Sequence, residues 1–487
     1  MSTPQTLLAG PASQPPPAAA RVTSRGRRAA ENLGFVAAWI GIAWLLGLGF
    51  IGFLLLGAPL AVAFQAAVRR PLRHLWARDT ATFARNRKGK LLVADVLLGV
   101  PGWLLLQTVP VWLDHSWTVL LLAATLALAY LLLRRLLGSV VVAAAAVAVA
   151  MSLLSPQLAD DRNGDSQLLA KLDGEQNMGM LAGYRDLAVA EVDLNSAQPV
   201  RLAGRGARST TPMEIGSLTK ALTGLVVADS VQRGELRMDS PVSKYLPQLA
   251  GSAAGQVSMR ELVTHTAGYT EFGSATTGDA LWRGPLGRRI LTDSRAQLFQ
   301  QVREGDLASR GSYRYSTLGA ATAGQAAAAA AGMSYPDLMR TRLFAPLGMT
   351  DTAIQADRPL VGRGRTASGL PVQPWVMHGY APGGAAVSTT RDLARLATAL
   401  LHGTAPGLDA LTPSNVQTTQ DITHVGVFWQ TSAWQNGQTI TWHNGETGGY
   451  SSYFGLDLQH RTAVIVLSDV AADDTTDLGI RLLARSS

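Results

Sequence analysis

Residues 34–68 run for 35 positions without one charged side chain, and no other feature of this 487-residue chain limits its fold so sharply. As a single helix they would extend about 52 Å at ~1.5 Å per residue. The hydrocarbon core of a bilayer is only ~30 Å thick, so one strongly tilted helix or a tight pair of short helices would fit. Residues 69–90 follow with eight Lys+Arg and one Asp. A second apolar stretch, 91–113, is broken only by Asp95 and contains Pro101 and Pro110; a third, 117–154, carries Arg134 and Arg135 near its middle. An arginine at the bilayer centre costs about 2.5–3.5 kcal/mol on insertion scales, and two helices turning at that pair avoid the cost.

Cytoplasmic loops collect Lys and Arg. With 69–90 inside, the chain leaves through 91–113, returns through 117–133 and leaves again through 136–154. The N-terminal arginines (Arg21, Arg25, Arg27 and Arg28) also favour the inside, which makes 34–68 cross twice. Five crossings are expected, four being the alternative, and everything after Ser155 then lies outside the cytoplasm. A signal peptide has an apolar region of only ~7–15 residues, far shorter than 34–68.

The charge is divided in the same way. Residues 1–155 hold 14 Lys+Arg against 4 Asp+Glu (+10), and the remainder holds 28 against 30 (−2), so the overall +8 belongs to the first third. Nucleic-acid binding needs a basic, aromatic-laced surface on a folded domain, which this pattern does not offer. The chain has no cysteine, which excludes disulfides, thiolate metal sites and thiol nucleophiles. Its eight histidines are scattered and form no H-E-x-x-H. No metal and no cofactor are expected.

Four regions result: a disordered basic N-terminus (1–30), multi-pass transmembrane helices (31–155), a polar linker (156–178, with Asp160, Asp161, Asn163, Gly164 and Asp165) and a globular domain (179–487). In the last, 187–194 reads as a strand. Leu218, Leu222, Leu225 and Val226 recur at helical spacing, and Gly234 suits the end of that helix. Residues 425–431, 439–443, 450–456 and 463–467 read as successive strands, and 476–484 as a closing helix. That order is an α+β one.

Ser217 stands three residues before Lys220 at the start of the amphipathic helix, so both side chains share one face. Lysine is scarce, with five against 37 arginines. A serine beside an amine can be made nucleophilic without histidine or metal. The plainer readings are a helix N-cap for Ser217 and a solvated helix lysine for Lys220.

The surrounding segments carry a resemblance. Met213-Glu214-Ile215-Gly216-Ser217-Leu218-Thr219-Lys220 resembles the nucleophile segment of the serine β-lactamase and penicillin-binding-protein superfamily. It is most similar to the class C β-lactamase, D-Ala-D-Ala carboxypeptidase and esterase branch, peptidase family S12. In the same order follow Asp239-Ser240-Pro241-Val242-Ser243-Lys244-Tyr245-Leu246-Pro247, Leu262-Val263-Thr264-His265-Thr266-Ala267-Gly268 and Tyr315-Ser316-Thr317. Leu343-Phe344-Ala345-Pro346-Leu347-Gly348-Met349, Pro382-Gly383-Gly384 before Ser388-Thr389, and His443-Asn444-Gly445-Glu446-Thr447-Gly448-Gly449 complete the set.

The resemblance implies an α+β β-lactamase/transpeptidase-like domain, an antiparallel sheet flanked by helices with a helical subdomain. It also implies a hydrolase that acts through a Ser217 acyl-enzyme, which the apolar stretches before it would anchor in a membrane. Lys220 would take or relay the Ser217 proton, and Tyr315 would be the acid/base partner, a phenolate stabilised by Lys220 and His443. The N–H groups of Ser217 and Glu446 would form the oxyanion hole. Thr317 stands where the family usually has Asn, and Asn444 where it has Thr or Ser; with Gly445 these would line the substrate. Tyr313 competes with Tyr315, His443 could instead be a cross-strand surface residue, and His265 reads as a structural residue holding a turn. The implied substrate is an amide or ester beside a D-amino acid, in a small peptide or ester; β-lactamase or esterase activity are alternatives. From another class come a β-lactam or cell-wall-fragment sensor and a silent binding module. The implied location is a bacterial plasma membrane, with the lipid bilayer as partner and the catalytic domain outside the cytoplasm.

Overall fold

The C-terminal apolar runs become the centre of an eight-stranded antiparallel sheet. The computed structural model of the protein describes residues 156–487 apart from 285–286, 356–361, 363, 419–422, 435–436, 472–474 and 485–487. In chain order the sheet's strands are β1 (Arg162–Gly164), β2 (Leu187–Asp193) and β3 (Val200–Arg205), then β7 (Thr423–Val425), β8 (Gln430–Ala433), β9 (Thr439–Glu446), β10 (Ser451–Asp457) and β11 (Thr462–Ser468). They lie side by side in the order β1-β3-β2-β11-β10-β9-β8-β7. A second sheet of three short strands orders β4 (Met213–Glu214), β6 (Ala386–Ser388) and β5 (Ala353–Ile354) as β4-β6-β5.

Five of the helices support the large sheet and the site: α1 (Ser166–Asn177), α2 (Leu218–Gln232), α3 (Thr317–Ala330), α4 (Thr390–Leu401) and α5 (Thr475–Ala484). Every residue of β10 and β11 is buried, because both faces of the sheet are covered. One face carries Ala188, Ala190, Phe454 and Ile465 into the large core shared with α2, α3 and α4. The other carries Val189, Tyr453, Val464 and Val466 into a smaller core with Leu168, Leu172, Leu478 and Leu482. The 2-residue side-chain period of a strand thus sorts each strand residue to one core or the other.

The apolar stripe predicted on α2 is buried, but so is every residue from Leu218 to Ser230. It is a central helix rather than a surface one. The alanine-rich α3 is buried over Thr317–Ala328, and its small side chains allow a close crossing. A Cβ on Gly324 would stand 2.3 Å from Pro382 Cβ and 3.0 Å from Thr223 Cγ2.

The segment 156–178, expected as a linker, is part of the folded domain. β1 pairs antiparallel with β3, from Arg162 opposite Arg205 to Gly164 opposite Ala203. Asp165 caps α1 by accepting from Gln167 N and Leu168 N at 3.0 and 2.9 Å. The helix then buries Leu168, Leu169 and Leu172. A chain beginning at residue 179 is therefore expected to melt far below one beginning at 156, since each buried leucine is worth about 1.5–3 kcal/mol. Thermal unfolding of the two chains followed by circular dichroism checks this, and equal midpoints would contradict it.

Among the described residues no helix is long and apolar enough to cross a membrane. The stretches predicted to do so, within 31–155, lie outside the described residues.

Candidate active site

Glycine, not side-chain attraction, determines where the nucleophile segment sits. Gly216, between β4 and α2, has φ +49°, and a Cβ there would stand 2.7 Å from Glu446 N. A Cβ on Gly445 would stand 2.0 Å from Ile215 O and 2.8 Å from Ser217 N. No side chain fits at either position, so the N-terminal end of α2 lies directly against β9. The Ser452 hydroxyl fastens the junction by donating to Ile215 O at 2.8 Å. The backbone nitrogens of Ser217 and Glu446 are brought together, and no acceptor among the described residues takes the Ser217 N–H. Two such donors side by side are what a developing oxyanion requires.

Ser217 has helical φ and ψ of −62° and −15°, and its hydroxyl makes no capping bond. The N-cap reading is thereby excluded. Lys220 Nζ lies 2.8 Å from Ser217 Oγ and donates to Gly383 O at 2.7 Å. Ser217 is partly exposed whereas Lys220 is wholly buried, so the hydroxyl can be reached from solvent and the amine cannot. No carboxylate among the described residues forms an ion pair with Lys220, and burial lowers its pKa from 10.5 to about 7. At neutral pH a large fraction of it is neutral amine, able to accept the serine proton.

Tyr315 comes from the turn before α3. Its hydroxyl hydrogen-bonds Ser217, and burial raises its pKa well above the usual phenol value. Lys220 Nζ stands 4.9 Å from the Tyr315 ring centroid. Of the two candidate tyrosines, Tyr313 instead meets His265 edge-on, with ring centroids 5.9 Å apart. The expected phenolate is disfavoured, because burial raises the pKa of Tyr315 while it lowers that of Lys220.

His443 is buried on β9, with Nδ1 2.5 Å from Asn444 O. Burial and the charge of Lys220 lower its pKa to about 4, so it is a neutral imidazole; it is not a surface residue. His265 has φ +58°. Its Nδ1 accepts from Ser316 N at 3.2 Å, and its ring lies 4.8 Å from that of Tyr315. It fastens the tyrosine turn, as its structural reading expects.

Thr317 opens α3 beside Lys220. Its Cγ2 would be 2.6 Å from a Cβ on Gly383, whose carbonyl binds the lysine. Asn444 is the exception. It stands opposite Tyr453 in the register, while His443 stands opposite Phe454. Its side chain therefore faces the smaller core and donates to Thr476 Oγ1 at 3.0 Å. Strand alternation puts it on the far side of the sheet from Ser217, so it does not line the substrate through its side chain. Past Trp442, β8 no longer pairs with β9, which leaves the edge from His443 to Glu446 open toward the site among the described residues.

Two carboxylates escaped the sequence reading. Buried Glu214 accepts from Trp375 N at 2.5 Å and from the Thr447 side chain, joining β4 to the turn after Glu446; burial raises its pKa to about 7. Glu271 accepts through its backbone O from Thr317 N and Leu318 N, both at 2.9 Å. Glu214 lies inside the nucleophile segment, but nothing in the sequence announces that it is buried.

An α+β domain that converges a serine, a buried lysine and a tyrosine on one helix N-terminus has the arrangement of a serine hydrolase. Residues 179–485 match the family described as Beta-lactamase, and the chain belongs to that family. It is 25% identical over 217 residues to a beta-lactamase of Escherichia coli (strain K12), covering 44% of this chain and 50% of that one. With penicillin-binding protein 4 of Amycolatopsis lactamdurans it shares 28% over 208 residues, covering 40% and 52%. With an esterase of Burkholderia gladioli it shares 40% over 72 residues, covering 14% and 18%. The chain thus spans about half or less of the length of these curated relatives. Among solved structures, a class C beta-lactamase from Rhodobacter sphaeroides matches with TM-score 0.54 at 20% identity, covering 65% of this chain and 98% of the other. A D-stereospecific amidohydrolase from Streptomyces matches with TM-score 0.53 at 19% identity, covering 63% and 95%. At such identities the likeness is one of fold.

Proposed function

We propose that the protein is a serine hydrolase that cleaves an amide or ester bond through an acyl-enzyme on Ser217, with a D-amino-acid-containing peptide as the natural substrate class. The observation that carries this reading is the wholly buried Lys220 amine 2.8 Å from a solvent-reachable Ser217 hydroxyl. The Ser217 proton passes to Lys220 Nζ as Oγ attacks the carbonyl carbon. The resulting oxyanion is held by the N–H groups of Ser217 and Glu446. As the C–N or C–O bond breaks, the leaving amine or alcohol takes its proton from the Tyr315 hydroxyl, and the Lys220 ammonium reprotonates Tyr315. Water then repeats the attack on the ester and releases the acid, restoring Ser217. Thr317 and the open edge of β9 at Gly445 flank the bound acyl group.

The D-amino-acid class is supported by structural relatives described as a D-stereospecific amidohydrolase and a D-alanine carboxypeptidase; the esterase relative supports ester cleavage as the second option. We further propose that residues 31–155 anchor the domain in a bacterial plasma membrane with the catalytic part outside the cytoplasm. The charge-free run of 34–68 and the basic 69–90 segment support this. The test is a panel of a D-Ala-D-Ala peptide, a benzyl ester and a penicillin, followed by intact mass and product release. Multiple turnovers per enzyme on the peptide or ester are expected. One stable adduct per chain with no release would mean a sensor, and no adduct with any compound would overturn the reading.

A further inference from the structure

The two backbone N–H groups that face the acyl carbonyl belong to different segments, and one of them stands at an open edge. Ser217 begins α2, which the Ser452 bond to Ile215 O fastens to the sheet. Glu446 ends β9. There β10 pairs with it on one side, Glu446 opposite Ser451, while β8 has already left the other side. The turn that follows is closed by Thr447 N donating to Tyr450 O at 2.9 Å. The close approach at Gly216 and Gly445 limits how near the two donors can come, but steric contact does not stop them from separating.

Glu214 supplies an attraction across that gap. It lies on β4, three residues before Ser217 and opposite Val387, and is buried. Its Oε1 accepts from Trp375 N at 2.5 Å and from Gln355 Nε2 at 3.4 Å, and the Thr447 hydroxyl bonds the same carboxyl group. Thr447 Oγ1 also accepts from Gly449 N at 3.4 Å, so the turn after Glu446 is tied to Glu214 through its first side chain. Trp375 supports the same turn. A Cβ on Gly448 would stand 3.4 Å from the Trp375 Nε1 and 3.0 Å from Val372 Cγ1. The tie does not depend on charge: a carboxylate accepts from the Thr447 hydroxyl, and a neutral acid donates its own O–H to Thr447 Oγ1. Glutamine keeps both links, its amide O accepting from Trp375 N and its NH2 donating to Thr447, whereas leucine keeps neither.

We propose that Glu214 is a positioning residue for the oxyanion hole: through Thr447 and Trp375 it holds the Glu446 N–H beside the Ser217 N–H. The inference rests on the acyl-enzyme reading above and adds to it a group that touches neither substrate nor nucleophile. Losing an oxyanion donor outright costs about 10²–10³-fold, and a displacement of ~1 Å costs about 10²-fold.

The test uses the full chain and the benzyl ester of D-alanine, with Glu214→Leu, Glu214→Gln and Thr447→Val beside the parent. Single-turnover acylation is expected to slow by about 10²-fold in Glu214→Leu and Thr447→Val, and to stay close to the parental rate in Glu214→Gln. Substrate binding before acylation, read from the concentration dependence of that rate, should change little. Infrared difference spectra of the acyl-enzyme with an isotope-labelled carbonyl add a signature that a purely structural role would not produce. Both donors lower the stretch of the Ser217 ester carbonyl, so the band should move to higher frequency in Glu214→Leu and Thr447→Val and stay in place in Glu214→Gln. Thr447→Val keeps the Trp375 bond and carries the test if Glu214→Leu does not fold. Parental acylation by Thr447→Val, or slow acylation with an unmoved carbonyl band, overturns the proposal and leaves the acyl-enzyme standing. Absence of any Ser217 adduct in the parent would instead overturn the acyl-enzyme reading, and this proposal with it.

Discussion

Replacing Ser217 with alanine is expected to lower turnover by at least about 10⁴-fold while the domain stays folded. Loss of a catalytic serine removes the covalent path altogether, and what remains is the contribution of binding and the oxyanion donors. The fold should survive because the Ser217 side chain supports little of it. Its hydroxyl caps nothing, and the approach of α2 to β9 depends on Gly216, Gly445 and the Ser452 bond to Ile215 O. Lys220 keeps its bond to Gly383 O. The measurements are kcat/KM and a thermal melt of the variant beside the parent. A melt within a few degrees and no measurable turnover is the expected pair. Turnover at the parental rate would remove Ser217 from the mechanism.

Replacing Lys220 with alanine is expected to cost about 10³-fold, in keeping with the usual 10²–10⁴ range for a positioned proton acceptor. The pH dependence identifies the group. The folded pKa of Lys220 is lowered to about 7, so the amine is protonated and inactive below that pH and free above it. In the parent, kcat/KM should rise as pH increases through about 7 and level off beyond. His443, near 4, is already neutral on that limb. Glu214 also titrates near 7 because burial favours its neutral acid, so a variant has to separate the two. Glu214→Gln should keep the limb and Lys220→Ala should lose it. Addition of methylamine to Lys220→Ala, filling the space left beside Ser217 Oγ, should restore part of the rate. A limb that survived in Lys220→Ala would assign the base elsewhere.

Much of this architecture was legible in the sequence. The predicted strands 187–194, 439–443, 450–456 and 463–467 correspond to β2, β9, β10 and β11; β2 and β11, buried on both faces, are nearly continuous apolar runs, whereas β9 alternates between buried and more exposed residues. The helix from Leu218 to Gln232, stopped before Gly234 with its φ of +75°, was equally readable. Two segments depart from their composition because strand pairing and turns, not residue type, decide them. The Asp, Asn and Gly residues of 160–165 look like a linker, yet Asn163 and Gly164 pair with β3 and Asp165 is a cap. Residues 425–431 look like one strand. The chain instead turns within them, with Phe428 at φ +64° and Gly426 N bonded to Trp429 O, and β8 begins only at Gln430.

At the site, a motif names residue types but not their surroundings. Ser217, Lys220 and Tyr315 do meet. Burial, which no spacing reveals, raises the Tyr315 pKa and disfavours its phenolate. Asn444 faces away because it follows the inward-facing His443 by one position on a strand. Glu271 lies 44 residues before Tyr315 in the chain, and its backbone O binds the start of α3.

The most direct measurement is single-turnover acylation of the full chain by a D-alanyl ester, quenched between pH 5 and 9 and read by intact mass and peptide mapping. One acyl group on Ser217, formed at a rate that climbs with an apparent pKa near 7, is the predicted result. An adduct on any other residue, or a rate that does not change across that range, would contradict a serine activated by a buried neutral lysine.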